Sequence, residues 1–431
     1  MLKLAYVTSQ FPCLIKVFQQ NEVLGLKANG VEITLLSCHN VANRPDLLHD
    51  FARPLLGFVH YFSPRQFIEG IGWSLRNAPA PFFKTGIRAG LAALQQPSRA
   101  AKHAMAWALA VAYAPVVHRR GCDWIHSDYI QGTATTAWHL SELVSRPFSL
   151  KCHAFDIFSS QSGLRETHAF MAKKLKAAAA VLSVHQYGAR LLAAEFGPEV
   201  ARKTSVVMVG VRTNEFMPLP YPQTQPPLVV ALGRLEEKKG FNILIASLAI
   251  LKNSGIDVHC HIYGAGSLGP ALQAQINQAG VQDRVILKGP FKQADLPDIM
   301  RPAAAICMPS IKDRHGDIDG IPTVLFEAMS CARPAIASDI SGIPELVHTG
   351  QTGLLTAPGD PQSVADAIRQ ILKNPGLAAT MGQTARQYIE TRHDNRIVGR
   401  QLKEIIEQFL RPAASRTTQN TGQPNAESAA A

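Results

Sequence analysis

Residues 308–329 read Met308-Pro-Ser-Ile-Lys-Asp-Arg-His-Gly-Asp-Ile-Asp-Gly-Ile-Pro-Thr-Val-Leu-Phe-Glu-Ala-Met329. The apolar run before this stretch predicts a buried strand that ends near Pro309, and a polar loop follows it. Pro322 predicts the start of a helix, because its φ is already helical and it lacks only an N–H that would have no partner. The amides of Thr323 and Val324 would then face outward at the carboxyl end of a strand. Wound α/β sheets bind phosphate groups at such places.

The same alternation of short apolar runs and amphipathic segments extends along most of the chain. This pattern is typical of α/β proteins with parallel sheets. Residues 17–29 predict a helix that ends at Gly30. In the first half we predict strands at residues 2–8, 31–38, 124–127, 148–152, 180–184 and 205–209. In the second half we predict strands at residues 228–233, 258–263, 284–287, 304–308, 335–338 and 353–356.

The segment 218–227 separates the two halves. It contains five prolines in ten residues, which neither a helix nor a central strand accommodates. We therefore expect two doubly wound, Rossmann-like domains, residues 1–217 and 218–394. Residues 395–410 predict a further amphipathic helix. Residues 411–431 are expected to form a disordered tail, because they offer almost no large apolar side chains.

Several protein classes are disfavoured by the sequence. Hydrophobic residues make up 46 % and charged residues 17 %, which argues against a disordered chain. The start of the chain resembles a strand rather than a secretion signal. The longest apolar run, Ala104–Val117, contains Pro115 and is shorter than the roughly 20 residues of a spanning helix. The seven cysteines are widely spaced, so we expect reduced thiols, a cytoplasmic location and no zinc site.

The positive charge is concentrated in the first half. Net charge is +11, with 22 Lys and Arg against 12 Asp and Glu in residues 1–210, and 21 against 20 in residues 211–431. Residues 65–120 contain eight basic residues and one acid, interleaved with aromatic residues. We expect this region to contact an anionic surface, although a solvated helix face is an alternative. The bases are Arg65, Arg76, Lys84, Arg88, Arg99, Lys102, Arg119 and Arg120, and the aromatic residues are Phe67, Trp73, Phe82, Phe83 and Trp107.

Two glycine-containing segments follow strands of the second half. Gly233 allows a ligand to approach the backbone, while Arg234 and Lys239 can donate to a diphosphate; solvated surface charge is the alternative. Residues 263–269, Tyr-Gly-Ala-Gly-Ser-Leu-Gly, match the dinucleotide fingerprint G-x-G-x-x-G. A dehydrogenase would need an acid after the next strand, and Asp283 precedes that strand. We therefore predict a phosphate or nucleotide turn rather than an NAD site.

Acidic residues and one histidine complete the candidate set. Asp317 and Asp319 form a D-x-D pair, a weak indication of a metal site, and Asp319 could instead cap a helix. Glu327 lies one helical turn beyond Thr323 and could accept hydrogen bonds from sugar hydroxyls. His153, after the strand 148–152, is expected near the cleft between the domains. A structural role is equally consistent with a single histidine.

Taken in this order and spacing, the segments resemble the family 4 retaining glycosyltransferases of the GT-B fold. Asp319-x₇-Glu327 resembles the E-x₇-E motif of that family, and residues 320–322 and 342–345 match the segments beside it. Residues 233–240 are similar to its diphosphate-binding turn, and residues 153–156 to its H-G-x-D segment. The opening residues 6–13 and the region of Gly320 look most like the exopolysaccharide and colanic-acid subgroup.

Three positions and one segment depart from the family pattern. Asp319 replaces the usual first glutamate, Ala154 a glycine, and Ala332 the glycine before Pro334. The shorter carboxylate at position 319 affects the expected contact with the donor sugar. Residues 14–18 also lack the Ser-Glu-Thr-Phe run of the subgroup, in a loop that should face the acceptor.

The resemblance implies a role for each segment. The donor would bind the second domain and the acceptor the first, with the last helix crossing back to the first domain. Arg234 and Lys239 would stabilise the diphosphate, Glu327 would hold the ribose, and His153 would contact the sugar. Asp319 would also belong to the catalytic set. The remaining implied donor-binding positions are Gly233, Gly264, Gly266, Gly320, Ile321, Pro322, Thr323 and Val324.

The resemblance further implies transfer of a hexose from a nucleotide sugar, with retention and without a metal or other cofactor. The expected acceptor is a glycan or a polyprenyl-diphosphate-linked glycan in exopolysaccharide or cell-surface polysaccharide synthesis. We expect work at the inner face of the plasma membrane, against anionic lipid rather than nucleic acid. Two alternatives are a sugar-nucleotide epimerase of the same fold and a catalytically silent sugar-nucleotide-binding partner.

Overall fold

The computed structural model describes residues 1–13, 16–41, 49–153, 156 and 166–411. Two parallel β-sheets with helices on their faces make up the described part of the chain. The predicted tail lies outside the described residues except for Arg411. The predicted site segment 153–156 is described only at His153 and Asp156.

The first sheet has seven parallel strands in the order β3-β2-β1-β4-β5-β6-β7. Its central strands consist of short apolar runs whose side chains are buried on both faces, as in β5, where all five residues are buried. The strands are β1 (Lys3–Gln10), β2 (Glu32–His39), β3 (Val59–Tyr61), β4 (Trp124–Ser127), β5 (Phe148–Cys152), β6 (Ala180–Ser183) and β7 (Thr204–Val206).

Within the described ranges, eight helices connect these strands and cover both faces of the sheet. The first ends as the sequence predicted, with Gly30 at φ 73° and the amide of Val31 donating to Leu26 O at 3.2 Å. The helices are α1 (Val17–Ala28), α2 (Pro64–Asn77), α3 (Pro79–Gln95), α4 (Ala100–Arg120), α5 (Thr133–Val144), α6 (His168–Ala177), α7 (Gln186–Phe196) and α8 (Pro198–Arg202).

The second sheet has six parallel strands in the order β10-β9-β8-β11-β12-β13. Its strands are β8 (Leu228–Leu232), β9 (His259–Tyr263), β10 (Val285–Gly289), β11 (Ala305–Met308), β12 (Ala335–Ser338) and β13 (Gly353–Thr356). Its helices are α9 (Phe241–Asn253), α10 (Gly269–Gln278), α11 (Leu296–Met300), α12 (Thr323–Ser330), α13 (Pro361–Lys373) and α14 (Pro375–Arg392).

The twelve predicted strands are all present, with ends within three residues of prediction. The sequence did not reveal β3, which has only three half-buried residues at the edge of the first sheet. The helix expected to begin at Pro322 begins one residue later. Pro322 is its N-cap, with ψ 125°, so Thr323 is the first helical residue.

The last helix, α15 (Asn395–Leu410), packs against α1 of the first sheet. The two backbones meet at Gly25 and Gly399, where an added Cβ on Gly25 would lie 2.0 Å from Asn395 O. Leu402 and Ile406 are fully buried in the same core cluster as Trp124. The chain therefore returns from the second sheet to the first.

The region 64–120 forms three helices, and it differs from the predicted basic and aromatic surface. Phe67, Trp73, Phe82 and Trp107 pack against the core, so Phe83 is the one exposed aromatic residue of the predicted five. Arg99 is buried, and Lys84 and Arg88 both pair with Glu142 on α5. Folding thus removes part of the free positive charge that the sequence suggested.

Within the described residues, one helical segment, Pro97–Arg120, is long and apolar enough to cross a membrane by length and composition. It exceeds the apolar run identified in the sequence, because the helix continues through flanking polar residues and through Pro115. The most apolar part is 61 % buried within the protein. Packing against α2, α3 and α5 therefore accounts for its composition.

Candidate active site

The candidate site lies where the strand order of the second sheet reverses, between β8 and β11. The loops after these two strands converge there, and ligands bind at such switch points in wound sheets. The amide of Ile311 donates to Lys238 O at 2.9 Å, which joins the loops directly. Gly240, with φ 66°, permits the contact, since an added Cβ would lie 1.8 Å from Pro309 O.

Two lysines of the first loop pair with the two aspartates of the second. Lys239 Nζ lies 2.7 Å from Asp319 Oδ2, and Lys238 Nζ lies 2.8 Å from Asp317 Oδ2. Ser310 Oγ donates to Asp319 at 3.3 Å. Burial opposes ionisation of Asp319, but Lys239 and Lys238 outweigh it and hold its pKa below the usual value. The D-x-D pair is therefore neutralised by ammonium groups.

No group of three or more His, Cys, Asp or Glu side chains that could hold a metal ion occurs within the described ranges. Both aspartates of the D-x-D segment are paired with lysines, and the absence of a metal requirement stays a prediction. The predicted helix cap is also not formed by Asp319, because Pro322 is the N-cap of α12.

Arg234 belongs to the same loop as Lys239 but has a different environment. Its side chain is 57 % exposed, and Nη1 pairs with Glu236. An added Cβ on Gly233 would lie 3.4 Å from Lys239 Cε, so the glycine leaves room for the lysine stem. The predicted cations thus share one loop, with Lys239 fixed and half-buried and Arg234 accessible at the surface.

The glycine turn after β9 packs against this loop. The amide of Leu235 donates to Ala265 O at 3.0 Å. An added Cβ on Gly264 would lie 1.8 Å from Gly233 O, and one on Gly266 would lie 2.5 Å from Leu235 O. The G-x-G pattern is therefore required for close approach of two backbone turns. Direct contact of Gly264 and Gly266 with a ligand remains a prediction.

The segment Gly320–Val324 leads into α12 on the side of the second sheet where its strands end. No side chain caps the helix, and Thr323 at its first position is exposed, while Pro322 and Val324 are buried. Ile321 packs against the core of the second domain. The first turn of α12 thus begins four residues after Asp319, and no side chain caps its backbone amides. Anion binding by these amides stays a prediction.

Glu327 is buried, with 6 % exposure, although the sequence pattern placed it on the exposed face with Thr323. α12 is covered by neighbouring segments, and Gln293 Nε2 donates to Glu327 Oε1 at 2.6 Å. Burial raises the pKa of Glu327 to about 7, while Gln293 and Arg212 act in the opposite direction. Arg212, which comes from the segment that joins the domains, thus contributes to the electrostatic environment of Glu327.

His153 directly follows β5, at the carboxyl end of this central strand of the first sheet. Its ring lies 4.6 Å from that of Phe18 and 4.9 Å from that of Tyr129, centroid to centroid. Burial lowers its pKa to about 3, so the imidazole is neutral near pH 7. Nε2 has no hydrogen-bond partner among the described residues. Asp156 accepts from the His153 amide at 3.1 Å and so shapes the turn.

Sequence analysis missed a buried charge network beside His153. Lys151 and Glu22 form an ion pair, and Tyr6 Oη donates to Glu22 Oε1 at 2.9 Å. Burial raises the pKa of Asp128, directly after β4, to about 7, and its carboxylate accepts from Thr8 Oγ1 at 2.9 Å. A lysine inside the apolar strand β5 was the available signal, because lysine is rarely buried without a partner.

The two domains contact each other close to the carboxyl ends of both sheets. Glu345, in the turn Ile343–Glu345, accepts hydrogen bonds from the amides of Gln186 at 2.6 Å and Tyr187 at 2.7 Å. Its carboxylate thereby caps α7 of the first domain, where helix dipole and free amides favour an anion. Gly342 lies against His185, where an added Cβ would be 2.8 Å from the imidazole. The carboxyl ends of both sheets therefore face a common cleft.

Residues 215–388 match a family model described as glycosyl transferases group 1. The chain carries a glycosyl transferases group 1 domain. That domain contains Arg234, Lys239, Asp319 and Glu327, and so includes all the predicted site residues except His153. The predicted recognition of this glycosyltransferase family is confirmed.

Two relatives of the chain are named for exopolysaccharide and colanic acid synthesis. The amylovoran biosynthesis glycosyltransferase AmsK of Erwinia amylovora is 32 % identical over 210 residues, which cover 48 % of this chain and 52 % of AmsK. The putative colanic acid biosynthesis glycosyltransferase WcaL of Escherichia coli K12 is 29 % identical over 208 residues, 48 % of this chain and 51 % of WcaL. The matched part of the chain thus spans about half the length of each of these two relatives.

Solved structures support the architecture along nearly the whole chain. Anabaena Alr3699/HepE in complex with UDP matches with a TM-score of 0.69 and 20 % identity, covering 94 % of this chain and all of that one. Sucrose-phosphate synthase from Thermosynechococcus elongatus matches with a TM-score of 0.69 and 17 % identity, covering 95 % and 99 %. The predicted GT-B fold, with its group 1 domain second, is confirmed.

Proposed function

We propose that the protein transfers a hexose from a nucleotide-sugar donor to a glycan or lipid-linked glycan in exopolysaccharide or cell-surface polysaccharide synthesis. The observation that carries the proposal is the Lys239–Asp319 pair beside the uncapped first turn of α12, at the switch point of a group 1 domain. The relatives named for amylovoran and colanic acid synthesis support the polysaccharide assignment. Their names as glycosyltransferases favour transfer over epimerisation or a silent binding role.

The proposed reaction depends on electrostatic stabilisation of the departing diphosphate. Lys239, Arg234 and the amides of Thr323 and Val324 supply positive charge and hydrogen-bond donors where negative charge develops. We propose that these groups suffice without a metal, so that activity persists in EDTA. A requirement for added Mg²⁺ after EDTA treatment would contradict this part of the proposal.

We infer that transfer proceeds with retention, and that the leaving diphosphate oxygen accepts the proton of the acceptor hydroxyl on the same face. Within the described part of the second domain, Asp319 is held by Lys239 and Glu327 by Gln293, so neither is placed as a free nucleophile. The neutral, partly exposed His153 would contact the donor sugar from the first domain. The protein then contributes orientation and charge rather than a covalent intermediate.

Nucleotide-sugar binding is the first test of the function. Donor at 100 times its Kd should stabilise the folded protein by about 2.7 kcal/mol and raise its Tm by several degrees. We expect stabilisation by UDP-sugars or by GDP-mannose. The HepE structure contains UDP, and a matching mannosyltransferase of Mycolicibacterium smegmatis, 30 % identical over 61 % of its length, is GDP-mannose-dependent. If no nucleotide sugar changes the Tm, the protein is not a nucleotide-sugar-dependent transferase.

We further propose that the protein works at the cytoplasmic face of an anionic membrane, where a polyprenyl-diphosphate-linked acceptor would be met. Four large apolar side chains form one exposed stripe along α3: Phe83, Ile87, Leu91 and Leu94, with exposures of 59, 64, 54 and 78 %. Their spacing places them on one helix face. Exposed apolar stripes beside Lys and Arg favour insertion at the headgroup level.

Vesicle binding tests the membrane proposal. The wild-type protein should sediment with phosphatidylglycerol-containing vesicles, and less with phosphatidylcholine alone or at high salt. Replacing both Ile87 and Leu91 with Glu should abolish sedimentation, because charge is placed in the apolar stripe. Leu377→Glu, at a similarly exposed leucine of the second domain, should leave it unchanged. Failure of the wild type to bind anionic vesicles at low salt would favour a soluble acceptor.

A further inference from the structure

Arg212 occupies the junction between the two domains. It follows β7 within the segment that leads to the proline-rich linker. Val211 pairs with Asp394 in an isolated parallel bridge, and Thr213 Oγ1 donates to the Asp394 carboxylate. Hydrogen bonds on both sides therefore fix the backbone of Arg212 at the point where the chain enters the second domain and later leaves it.

The guanidinium of Arg212 is buried but incompletely bonded. The side chain is 5 % exposed and lies over the Phe51 ring, with its Cζ 3.2 Å from the ring centroid. Nη2 lies 2.9 Å from Glu215 Oε2. None of the three guanidinium nitrogens, Nε, Nη1 and Nη2, makes a hydrogen bond with a described residue, so the contact of Nη2 with Glu215 is an ion pair only. Buried donors without acceptors cost free energy in the unliganded protein, so these N–H groups require an acceptor.

Other buried arginines of the second domain are bonded differently. Arg333, which is 1 % exposed, donates to the carbonyl oxygens of Arg301, Leu219 and Pro220. Arg386 Nη1 donates to three carbonyl oxygens. These side chains serve the fold, because their donors are directed mainly at backbone carbonyl oxygens, while Arg386 Nη2 also pairs with Glu390. Arg212 differs, because none of its guanidinium nitrogens donates a hydrogen bond to a described residue.

The neighbours of Arg212 indicate what kind of group completes it. Glu215 and Glu327 are the carboxylates whose charges act on the Arg212 guanidinium. A phosphate beside two acids would be repelled, and the diphosphate has its own cations at Arg234 and Lys239. A neutral oxygen of a nucleoside, a ribose hydroxyl or base carbonyl, accepts hydrogen bonds without that repulsion.

We propose that Arg212 binds the nucleoside of the donor, its unbonded guanidinium N–H groups donating hydrogen bonds to nucleoside oxygens. The proposal rests on the proposed nucleotide-sugar function. It makes the interdomain segment part of the donor site, with the ring of Phe51 from the first domain stacked on the guanidinium. Nucleoside binding would thereby join the two domains at their hinge.

Calorimetric titration with UDP, GDP and pyrophosphate tests the proposal on the full-length protein. For the nucleotide that wild type binds more tightly, Arg212→Gln should weaken affinity at least about tenfold, as expected for loss of charge-assisted hydrogen bonds. Pyrophosphate affinity should stay within twofold. Arg212→Lys retains the charge but loses the fork, and should weaken nucleotide affinity at least about threefold. Arg212→Lys also tests the proposal if Arg212→Gln does not fold.

Arg386→Gln is the matched control at a buried arginine near the same hinge. It should lower the Tm while leaving the nucleotide Kd of the folded protein unchanged. Wild-type nucleotide affinity in Arg212→Lys and in Arg212→Gln, or equal losses for pyrophosphate and nucleotide, would overturn the assignment to the nucleoside. If wild type binds pyrophosphate but neither nucleotide, the proposed function itself fails, and Arg212 with it.

Discussion

Lys239→Ala is expected to lower kcat/KM for sugar transfer about 100-fold or more. The Nζ of Lys239 is held 2.7 Å from Asp319 and is only partly exposed, so the ammonium is positioned before the donor arrives. Loss of one preorganised donor to a developing negative charge costs about 10²- to 10³-fold in rate. The effect should fall mainly on kcat, because the charge on the diphosphate grows as the bond to the sugar breaks.

Lys238 is the matched control for Lys239. The two lysines are adjacent, similarly buried and each paired with an aspartate of the second loop. Lys238→Ala should change kcat/KM by no more than about threefold if Lys238 only holds the loop through Asp317. The measurement is the initial rate of transfer of labelled hexose, from the donor that stabilises wild type, into lipid-extractable or polymeric glycan. Equal losses in the two variants would assign the effect to loop structure.

Arg234 is the second cation predicted to stabilise the diphosphate. Its exposed guanidinium is paired with Glu236 and has to turn toward the donor on binding, whereas Lys239 is already fixed. Measuring Arg234→Ala beside Lys239→Ala separates these contributions. Turnover close to wild type in both variants would remove the two residues from the diphosphate site.

Most strands were predictable because they are short, mainly apolar runs bounded by Gly, Pro or polar residues, as strands buried on both faces require. β8 and β11 show this well, since both end where a glycine or proline follows. The edge strand β3 was not predictable, because three half-buried residues carry no such pattern. Local sequence therefore predicted the strands of both sheets except the edge strand β3.

The candidate site was predictable in its residues but not in its pairings. Lys239 and Asp319 are separated by 80 residues, and only the strand order places their loops side by side. The environment of Glu327 depends on a hydrogen bond from Gln293 and on the charge of Arg212, which come from two other segments. The ion pair of Glu22 with Lys151, 129 residues apart, has the same origin. Such contacts arise from the order of the strands in the sheets, and hydrophobic periodicity does not predict that order.

Nucleotide affinity should rise with pH up to about pH 7 and then level, because Glu327 must be ionised to accept hydrogen bonds from two ribose hydroxyls. Burial raises its pKa from the usual 4.5 to about 7, so the protonated form dominates below neutrality. In the unliganded protein this raised pKa adds stability at low pH, which is lost as pH rises from about 4.5 to 7. Nucleotide binding opposes that trend, since it selects the ionised carboxylate and releases a proton.

The expected loss of affinity approaches tenfold per pH unit well below 7 and amounts to about 50-fold between pH 7 and pH 5. Calorimetric titration with the preferred nucleoside diphosphate across this range measures it. Glu327→Gln should bind more weakly at pH 7 and lose most of the pH dependence, with little change in Tm without ligand. That variant also separates Glu327 from Asp128 and Asp156, whose pKa values are likewise raised to about 7 by burial. An unchanged pH profile in Glu327→Gln would assign the titration to those first-domain carboxylates and would remove Glu327 from the ribose site.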